Sequence, residues 1–458
     1  MGTPDKTNLA NPEGSGDDAL GFYSVERRER QRKLRRKVGR LAETETPLFD
    51  SLAAVPDELA DLCMLEGVAD LRRQKVFVRK HKISNPYFRT CLPGPGGTAM
   101  VAGRKCIHFS GYDYLGLAQD VRVREAAKAA VDAYGPTVSA SRIASGDNAL
   151  HRELEAEIAG FLGTEDSIVF ISGYGTNVTT IEHLFGPGDL ILCDAFAHNS
   201  LFAGCEASGA TFMRFAHNDP AAAERLLARH RLNFRRTLIV IEGVYSMEGS
   251  IPDLPRFVEI KTRYKSLLMV DEAHSIGTMG KEGRGIGEHC GVAPGAIDLW
   301  MGTLSKAFAS AGGFIAGAHD VIDYLHYTAP GFIFSVGLSP ADTGAALAAV
   351  RLSQAEPWRR EKLAENAERL RAAFRARGWN IGGSRESPVV PLIVGNSLTC
   401  LHLAEALYQA GVNVHPILYP GVPENQTRLR FFVSASHSAE QIDRTVDALA
   451  AALAAVGT

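Results

Sequence analysis

The sequence has no Cys-x-x-Cys pair, no long apolar run and no excess of either charge. Its seven cysteines, at 63, 91, 106, 193, 205, 290 and 400, are odd in number and scattered, which argues against a disulfide framework and a structural zinc site. No stretch approaches the roughly 20 apolar residues that a membrane-spanning helix needs. Met1-Gly2-Thr3-Pro4-Asp5-Lys6 lacks the apolar core of a secretory signal, and Lys6 stands where a myristoylation pattern needs Ser or Thr. A cytoplasmic protein with reduced thiols is expected. Lysine plus arginine number 49 against 52 aspartate plus glutamate, a net charge of −3, and no nucleic-acid partner or membrane span is expected. What remains is ordinary: 458 residues, 45% hydrophobic and 22% charged, enough for two or three folded domains.

Residues 1–20 are rich in Gly, Pro, Asp and Asn and read as a tail. Residues 27–40 are dominated by arginine and lysine, interrupted by Leu34 and Val38 at i,i+4 spacing. Such a run is either a solvated helix face or a docking site for an anionic partner. An acidic segment, 43–61, reads as helical, and the breaker cluster at 92–97 marks a boundary. Beyond it, short apolar runs at 168–171, 190–193, 238–241, 267–270, 299–301 and 314–316 alternate with amphipathic stretches such as 150–162 and 221–230. This is the pattern of an α/β domain with a largely parallel sheet. A long helical pattern, 339–377, leads to strand candidates at 389–394, 412–416 and 428–433, with helices at 398–410 and 438–456. The expected division is an N-terminal extension (1–95), a large α/β domain (96–345) and a small α+β domain (346–458).

Asp271-Glu272-Ala273-His274 ends one apolar run, where open α/β sheets bind ligands. The same four residues form the ATPase box of a class of helicases, but that chemistry needs a Gly-x-x-x-x-Gly-Lys-Ser/Thr loop, and the sequence has none. Lys306 closes Gly302-Thr303-Leu304-Ser305-Lys306, just past another strand candidate. A lysine there suits a Schiff base with an aldehyde cofactor, and pyridoxal 5′-phosphate also requires a carboxylate on its pyridine nitrogen, a role that Asp271 fits. Gly173 and Tyr174 open a helix after Ser172, where backbone amides can cradle a phosphate. His198 follows the next strand, where a histidine is either a satisfied turn residue or one that stacks on a cofactor ring.

The chain resembles the α-oxoamine synthases, fold-type-I pyridoxal phosphate enzymes. The resemblance runs from about residue 85 to 455 as an ordered series of segments. These are Tyr112-Asp113-Tyr114-Leu115-Gly116, Ser139-Ala140-Ser141-Arg142, Ser172-Gly173-Tyr174 and Phe215-Ala216-His217-Asn218-Asp219. Glu242-Gly243-Val244-Tyr245-Ser246, Asp271 to Ser275, Gly302 to Lys306, Phe332-Ile333-Phe334-Ser335 and Arg428-Leu429-Arg430 complete it. The resemblance implies Lys306 as Schiff-base lysine and proton-transfer base, Asp271 on the pyridine nitrogen, His274 on the phenolic oxygen and His198 on the ring face. It further implies Gly173, Tyr174, Ser246 and Thr303 as holding the cofactor and its phosphate, and Arg430 as taking the amino-acid carboxylate. Phe334-Ser335 resembles a segment that reaches across a homodimer, so Ser335 is expected to serve a partner's cofactor. The implied reaction is a decarboxylative condensation of an amino acid with an acyl thioester, giving an α-amino ketone, carbon dioxide and free thiol.

Three departures stand out. Tyr112 occupies a position held by Asn in several family members and resembles the serine palmitoyltransferase-like pattern, which favours serine or alanine over glycine. The loop Pro420-Gly421-Val422-Pro423 lacks the family's threonine. The extension before residue 85 has no counterpart in shorter members, and its basic run suits an acidic acyl-carrier protein as donor; coenzyme A, also anionic, is the other. An aminotransferase or aldolase would share Lys306 and Asp271, and a regulatory or partner subunit is the non-enzyme alternative.

Overall fold

The computed structural model describes residues 48–80, 83–419 and 421–456. The central sheet has seven strands in the order Asp166–Phe170, Gly313–Gly317, Leu299–Thr303, Leu267–Asp271, Thr237–Glu242, Leu190–Asp194 and Thr211–Phe215. All run in one direction except Gly313–Gly317, which is antiparallel to both neighbours. The six strands expected here all form, with ends moved by at most two residues. Their continuous apolar runs reflect burial on both faces. Leu190, Leu192, Ile239, Ile241, Val270 and Trp300 enter one core, and Ile191, Leu238, Val240, Met269 and Met301 enter the other. The seventh strand, Thr211–Phe215, was not anticipated: it lies at the sheet's edge, and only Phe215 is buried, so no apolar run marks it.

Several expectations differ from the structure. The helical pattern 339–377 is two helices, Pro340–Ala355 and Trp358–Ala376, because Pro357 lacks an N–H and its ring blocks the preceding turn. The strand expected at 412–416 is split between sheets. Val412–Asn413 pairs in parallel with Ile107–His108, whereas His415–Ile417 joins Arg428–Phe432 and Val389–Ile393 in a three-stranded antiparallel sheet. The described part of the acidic segment forms 3-10 turns at Leu52–Ala54 and Asp57–Ala60 rather than an α-helix. Pro56 and Asp61 flank the second turn in extended conformation. An unanticipated α-helix follows at Glu66–Lys80. The boundary expected at 95/96 falls inside the turn of a hairpin, Cys91–Pro93 with Thr98–Val101. The tail 1–20 and the basic run 27–40 lie outside the described residues. No described helix is long and apolar enough to cross a membrane.

Arg142 anchors the loop facing the sheet's first strand. Its guanidinium grips Glu155 with both Nη atoms (2.5 and 2.9 Å) and Asp147 through Nε (2.8 Å). Arg142 and Glu155 are both almost solvent-free. Glu155 also accepts the N–H of Val169 in that strand (3.0 Å). Arg142→Met strands a buried carboxylate, so urea unfolding of the apoprotein is expected to show a loss of about 3–5 kcal/mol; a loss below about 1 kcal/mol would contradict this account.

Candidate active site

The C-terminal ends of the parallel strands converge on one cleft. Asp271 is the last residue of Leu267–Asp271 and is buried. Its Oδ2 accepts Asn177 Nδ2 (2.8 Å), and its Oδ1 accepts the N–H of Ala273 (2.9 Å). Asn177 Nδ2 also donates to Ser200 Oγ (2.9 Å). Lys306 lies three residues past Thr303, with Nζ 5.9 Å from the centre of the Tyr112 ring. Burial lowers its amine to about 8, Arg430 adding to the effect, while Asp271 and Glu242 pull the other way. The structure thus brings Lys306, Asp271, Tyr112 and Arg430 into one electrostatic neighbourhood.

Both histidines are held as neutral rings. His198 caps the helix Asn199–Ala207: its Nδ1 accepts the N–H of Ser200 (3.3 Å) and lies 2.7 Å from Ser200 Oγ. Its backbone N–H donates to Glu242 Oε1. Burial lowers its pKa, partly offset by Asp271. His274 Nδ1 meets the Tyr114 hydroxyl at 2.7 Å, and its ring stacks on Phe432 at 5.8 Å. Burial drives its pKa well down, and Lys306 and Arg430 act in the same sense. Burial raises the Tyr114 phenol well above its ordinary value, so it stays protonated.

At the other end of the cleft, Ser172 caps the helix Gly173–Leu184, its Oγ accepting the N–H of Gly175 (3.0 Å). A Cβ at Gly173 would sit 3.0 Å from Thr303 Oγ1, and one at Gly313 would strike the Gly173 backbone at 2.7 Å. Thr303 Oγ1 donates to Gly312 O (2.9 Å) and lies 2.7 Å from Ser305 Oγ. Tyr174 is half-exposed, its ring edge-on to His198 at 6.5 Å. A helix N-terminus with two hydroxyls at such close quarters is a cradle for a phosphate.

Arg430, on the strand Arg428–Phe432, is buried. Its Nη1 donates to Ser246 O (3.2 Å) and touches Met247 Sδ (3.1 Å), and its Cζ lies 4.4 Å over the Phe432 ring. Its Nε has no hydrogen-bond partner. A buried guanidinium with an unused N–H and a thioether for a partner is poised to receive a carboxylate. Ser246 contributes its carbonyl to this contact. Ser335 donates its N–H to Phe332 O (3.2 Å) and lines a narrow crevice with Arg142, Ile171 and Phe332.

Sequence reasoning assigned no role to Asn177, Tyr114 or Glu242, which hold Asp271, His274 and His198. Tyr114 and Glu242 lie in segments that carry the resemblance, and Asn177 lies one turn past Gly173; only these positions hint at them. Glu272 faces away from Lys306, both its oxygens accepting the N–H of Ile286 (2.9 and 3.0 Å). That placement removes the second acid a magnesium-binding helicase box would need.

An amine, a buried carboxylate at a strand end and a phosphate cradle fit the aldehyde, the pyridine nitrogen and the phosphate of pyridoxal phosphate. The aminotransferase class I and II family model matches residues 104–449. The 8-amino-7-oxononanoate synthase of Geobacter metallireducens is 42% identical over 358 residues, covering 78% of this chain and 91% of that protein. The serine palmitoyltransferase of Sphingomonas wittichii superposes with a TM-score of 0.83 at 30% identity, over 87% of this chain and 99% of that one. A serine palmitoyltransferase structure with pyridoxal phosphate superposes with a TM-score of 0.81 at 30% identity, over the same shares of both chains.

Proposed function

Because the chain belongs to the aminotransferase class I and II family, and within it to the α-oxoamine synthases, we propose how its own residues divide the work of that reaction. The enzyme uses pyridoxal phosphate and condenses a small amino acid with an acyl thioester, releasing carbon dioxide and thiol. The cofactor supplies an electron sink for a carbanion at the amino acid's α-carbon. Asp271, fixed by Asn177, keeps the pyridine nitrogen protonated. His198 covers the ring. With Tyr114 donating to its Nδ1, His274 carries its proton on Nε2 and offers it to the phenolic oxygen. Gly173, Tyr174, Ser246 and Thr303, with Ser335 from a second subunit, hold the cofactor and its phosphate. Arg430 would take the carboxylate beside Tyr112, and the amine of Lys306 would remove the α-proton. The observation that carries this reading is the convergence of Lys306, three residues past the strand Leu299–Thr303, with Asp271 at the end of the neighbouring parallel strand and Arg430 in one cleft, which suits the amine to proton transfer.

The neutral amine is also the nucleophile that captures the cofactor. Below about 8 Lys306 is increasingly protonated, so the rate of pyridoxal phosphate uptake by apoprotein is expected to fall about tenfold per pH unit there and level off above it. Stopped-flow absorbance checks this; a rate still climbing to pH 10, near the ordinary lysine value, would place Lys306 in an unperturbed setting.

The amino acid is serine or alanine, the reading supported by Tyr112 beside Arg430. The working unit is a homodimer in the cytoplasm; Phe334, 85% exposed beside Ser335, is a side chain that a second subunit would cover. The acyl donor is carried on an acidic carrier protein that docks on residues 27–40. Absorbance titration of the holoenzyme with glycine, alanine and serine tests the first point: saturable perturbation by serine or alanine supports it, and by glycine alone overturns it. Deleting residues 1–45 tests the last: unchanged turnover with acyl-carrier and acyl-CoA donors would end the docking idea. Release of carbon dioxide and free thiol separates this chemistry from that of an aminotransferase or aldolase.

A further inference from the structure

Away from the groups assigned above, one buried carboxylate ties together three strand ends. Asp194 closes the strand Leu190–Asp194 and has no exposed surface. Its Oδ1 accepts the N–H of Phe196 (2.8 Å) and His217 Nδ1 (2.9 Å). Its Oδ2 accepts the N–H of Asn218 (2.7 Å) and the Tyr245 hydroxyl (2.9 Å). The donors come from its own loop, from the loop after Thr211–Phe215 and from the loop after Thr237–Glu242. Asn218 holds a left-handed φ of +51°, rare for a residue other than glycine. It also donates through Nδ2 to Ile251 O (2.8 Å), while His217 Nε2 reaches Ser250 Oγ (3.0 Å). Phe196 stacks on the His217 ring at 4.6 Å.

Two of the three tied loops each present one element of the site. Residues 195–198 set the entry of His198, and the turn after Tyr245 offers the Ser246 carbonyl and Met247 sulfur that hold Arg430. We propose that Asp194, through His217, Asn218 and Tyr245, is the positioning residue that fixes the spacing between the ring-covering His198 and the carboxylate anchor Arg430. This inference rests on the reading of His198 and Arg430 given above. Strand ends are the least restrained parts of a sheet, and a misplacement of about 1 Å in a reacting geometry costs on the order of 100-fold in rate. A saturated carboxylate, two donors to each oxygen, resists that drift.

The test compares wild-type, Asp194→Asn and Tyr245→Phe holoenzymes. It measures kcat and KM for the amino acid, the visible circular dichroism of bound pyridoxal phosphate, and the apoprotein's Kd for pyridoxal phosphate. Asp194→Asn is expected to lower kcat about tenfold or more, raise KM and reduce the dichroism by about half or more, as the ring and the anchor lose register. Its Kd for the cofactor is expected to change by a smaller factor than kcat, because Lys306, Asp271, Gly173 and Thr303 lie outside the tied loops, whereas His198 and Ser246 lie on them. Tyr245→Phe removes one of the four donors and moves the same quantities about threefold; it decides the matter alone if the asparagine variant does not fold. Both variants within about twofold of wild type in kcat, KM and dichroism, with only the melting temperature lowered, would reduce Asp194 to a structural role and overturn the proposal. A wild-type protein that neither binds pyridoxal phosphate nor turns over would instead sink the reading of the site itself.

Discussion

Lys306→Ala is expected to reduce carbon dioxide release by at least about 10³-fold, since general-base assistance alone contributes roughly 10²–10⁴ and the covalent hold on the cofactor goes with it. Lys306 is the amine that burial lowers to about 8 in this cleft. The alanine variant should fold: it removes a charge whose burial opposes folding and leaves the Asp271–Asn177 and His274–Tyr114 bonds in place. Its melting temperature should match or exceed that of the wild-type apoprotein, and the visible absorbance of bound cofactor should be lost. Turnover within about tenfold of wild type would remove Lys306 from the centre of the chemistry.

Asp271→Asn carries the second large effect and tests a different term. The substitution keeps size and shape, and an asparagine there can still accept the N–H of Ala273 through Oδ1, while its Nδ2 can donate to Asn177 once that amide turns its unpartnered Oδ1 inward. What disappears is one negative charge. At about 4 Å and an effective dielectric near 20 such a charge is worth about 4 kcal/mol, or about 10³-fold in rate. We therefore expect kcat to fall about 10³-fold at saturating cofactor while the protein remains folded. Thermal melts and single-turnover measurement of carbon dioxide read the two quantities separately. A fall of less than about tenfold would mean that the pyridine nitrogen does not depend on this carboxylate.

Lys306 and Asp271 were legible because each follows an apolar run that can only be a buried strand, and strand ends are where open α/β sheets gather chemistry. Their supports were not. Asn177 lies 94 residues from Asp271, Tyr114 160 from His274, and Glu242 44 from His198, and no local pattern encodes a hydrogen bond across such distances. Edge position hid the strand Thr211–Phe215, whose half-wet side chains follow no apolar run. The split at 412–417 was hidden differently: one apolar stretch feeds two sheets, and periodicity cannot say which neighbour each half will meet. Pro357 was readable and passed over; a proline inside an apolar pattern is itself a boundary. The opposite facing of Asp271 and Glu272 follows from the strand's alternation carried one residue past its end, where the N–H of Glu272 still bonds Met301 O.

The pairing of Val412–Asn413 with Ile107–His108 also sets a clock on the ribosome. The N–H of Ala435 donates to Tyr114 O, and that of Phe432 to Phe109 O, so the segment that carries Tyr114 to His274 waits for chain made more than 300 residues later. At roughly 5–20 residues per second, Tyr114 emerges about 15–65 s before the strand that fixes it. The central sheet, whose strands lie between Asp166 and Gly317, is complete in the nascent chain well before then. Cofactor capture by Lys306 thus becomes available earlier in synthesis than the tautomer of His274 is set, and nascent chains stalled before residue 412 should take up pyridoxal phosphate without gaining turnover.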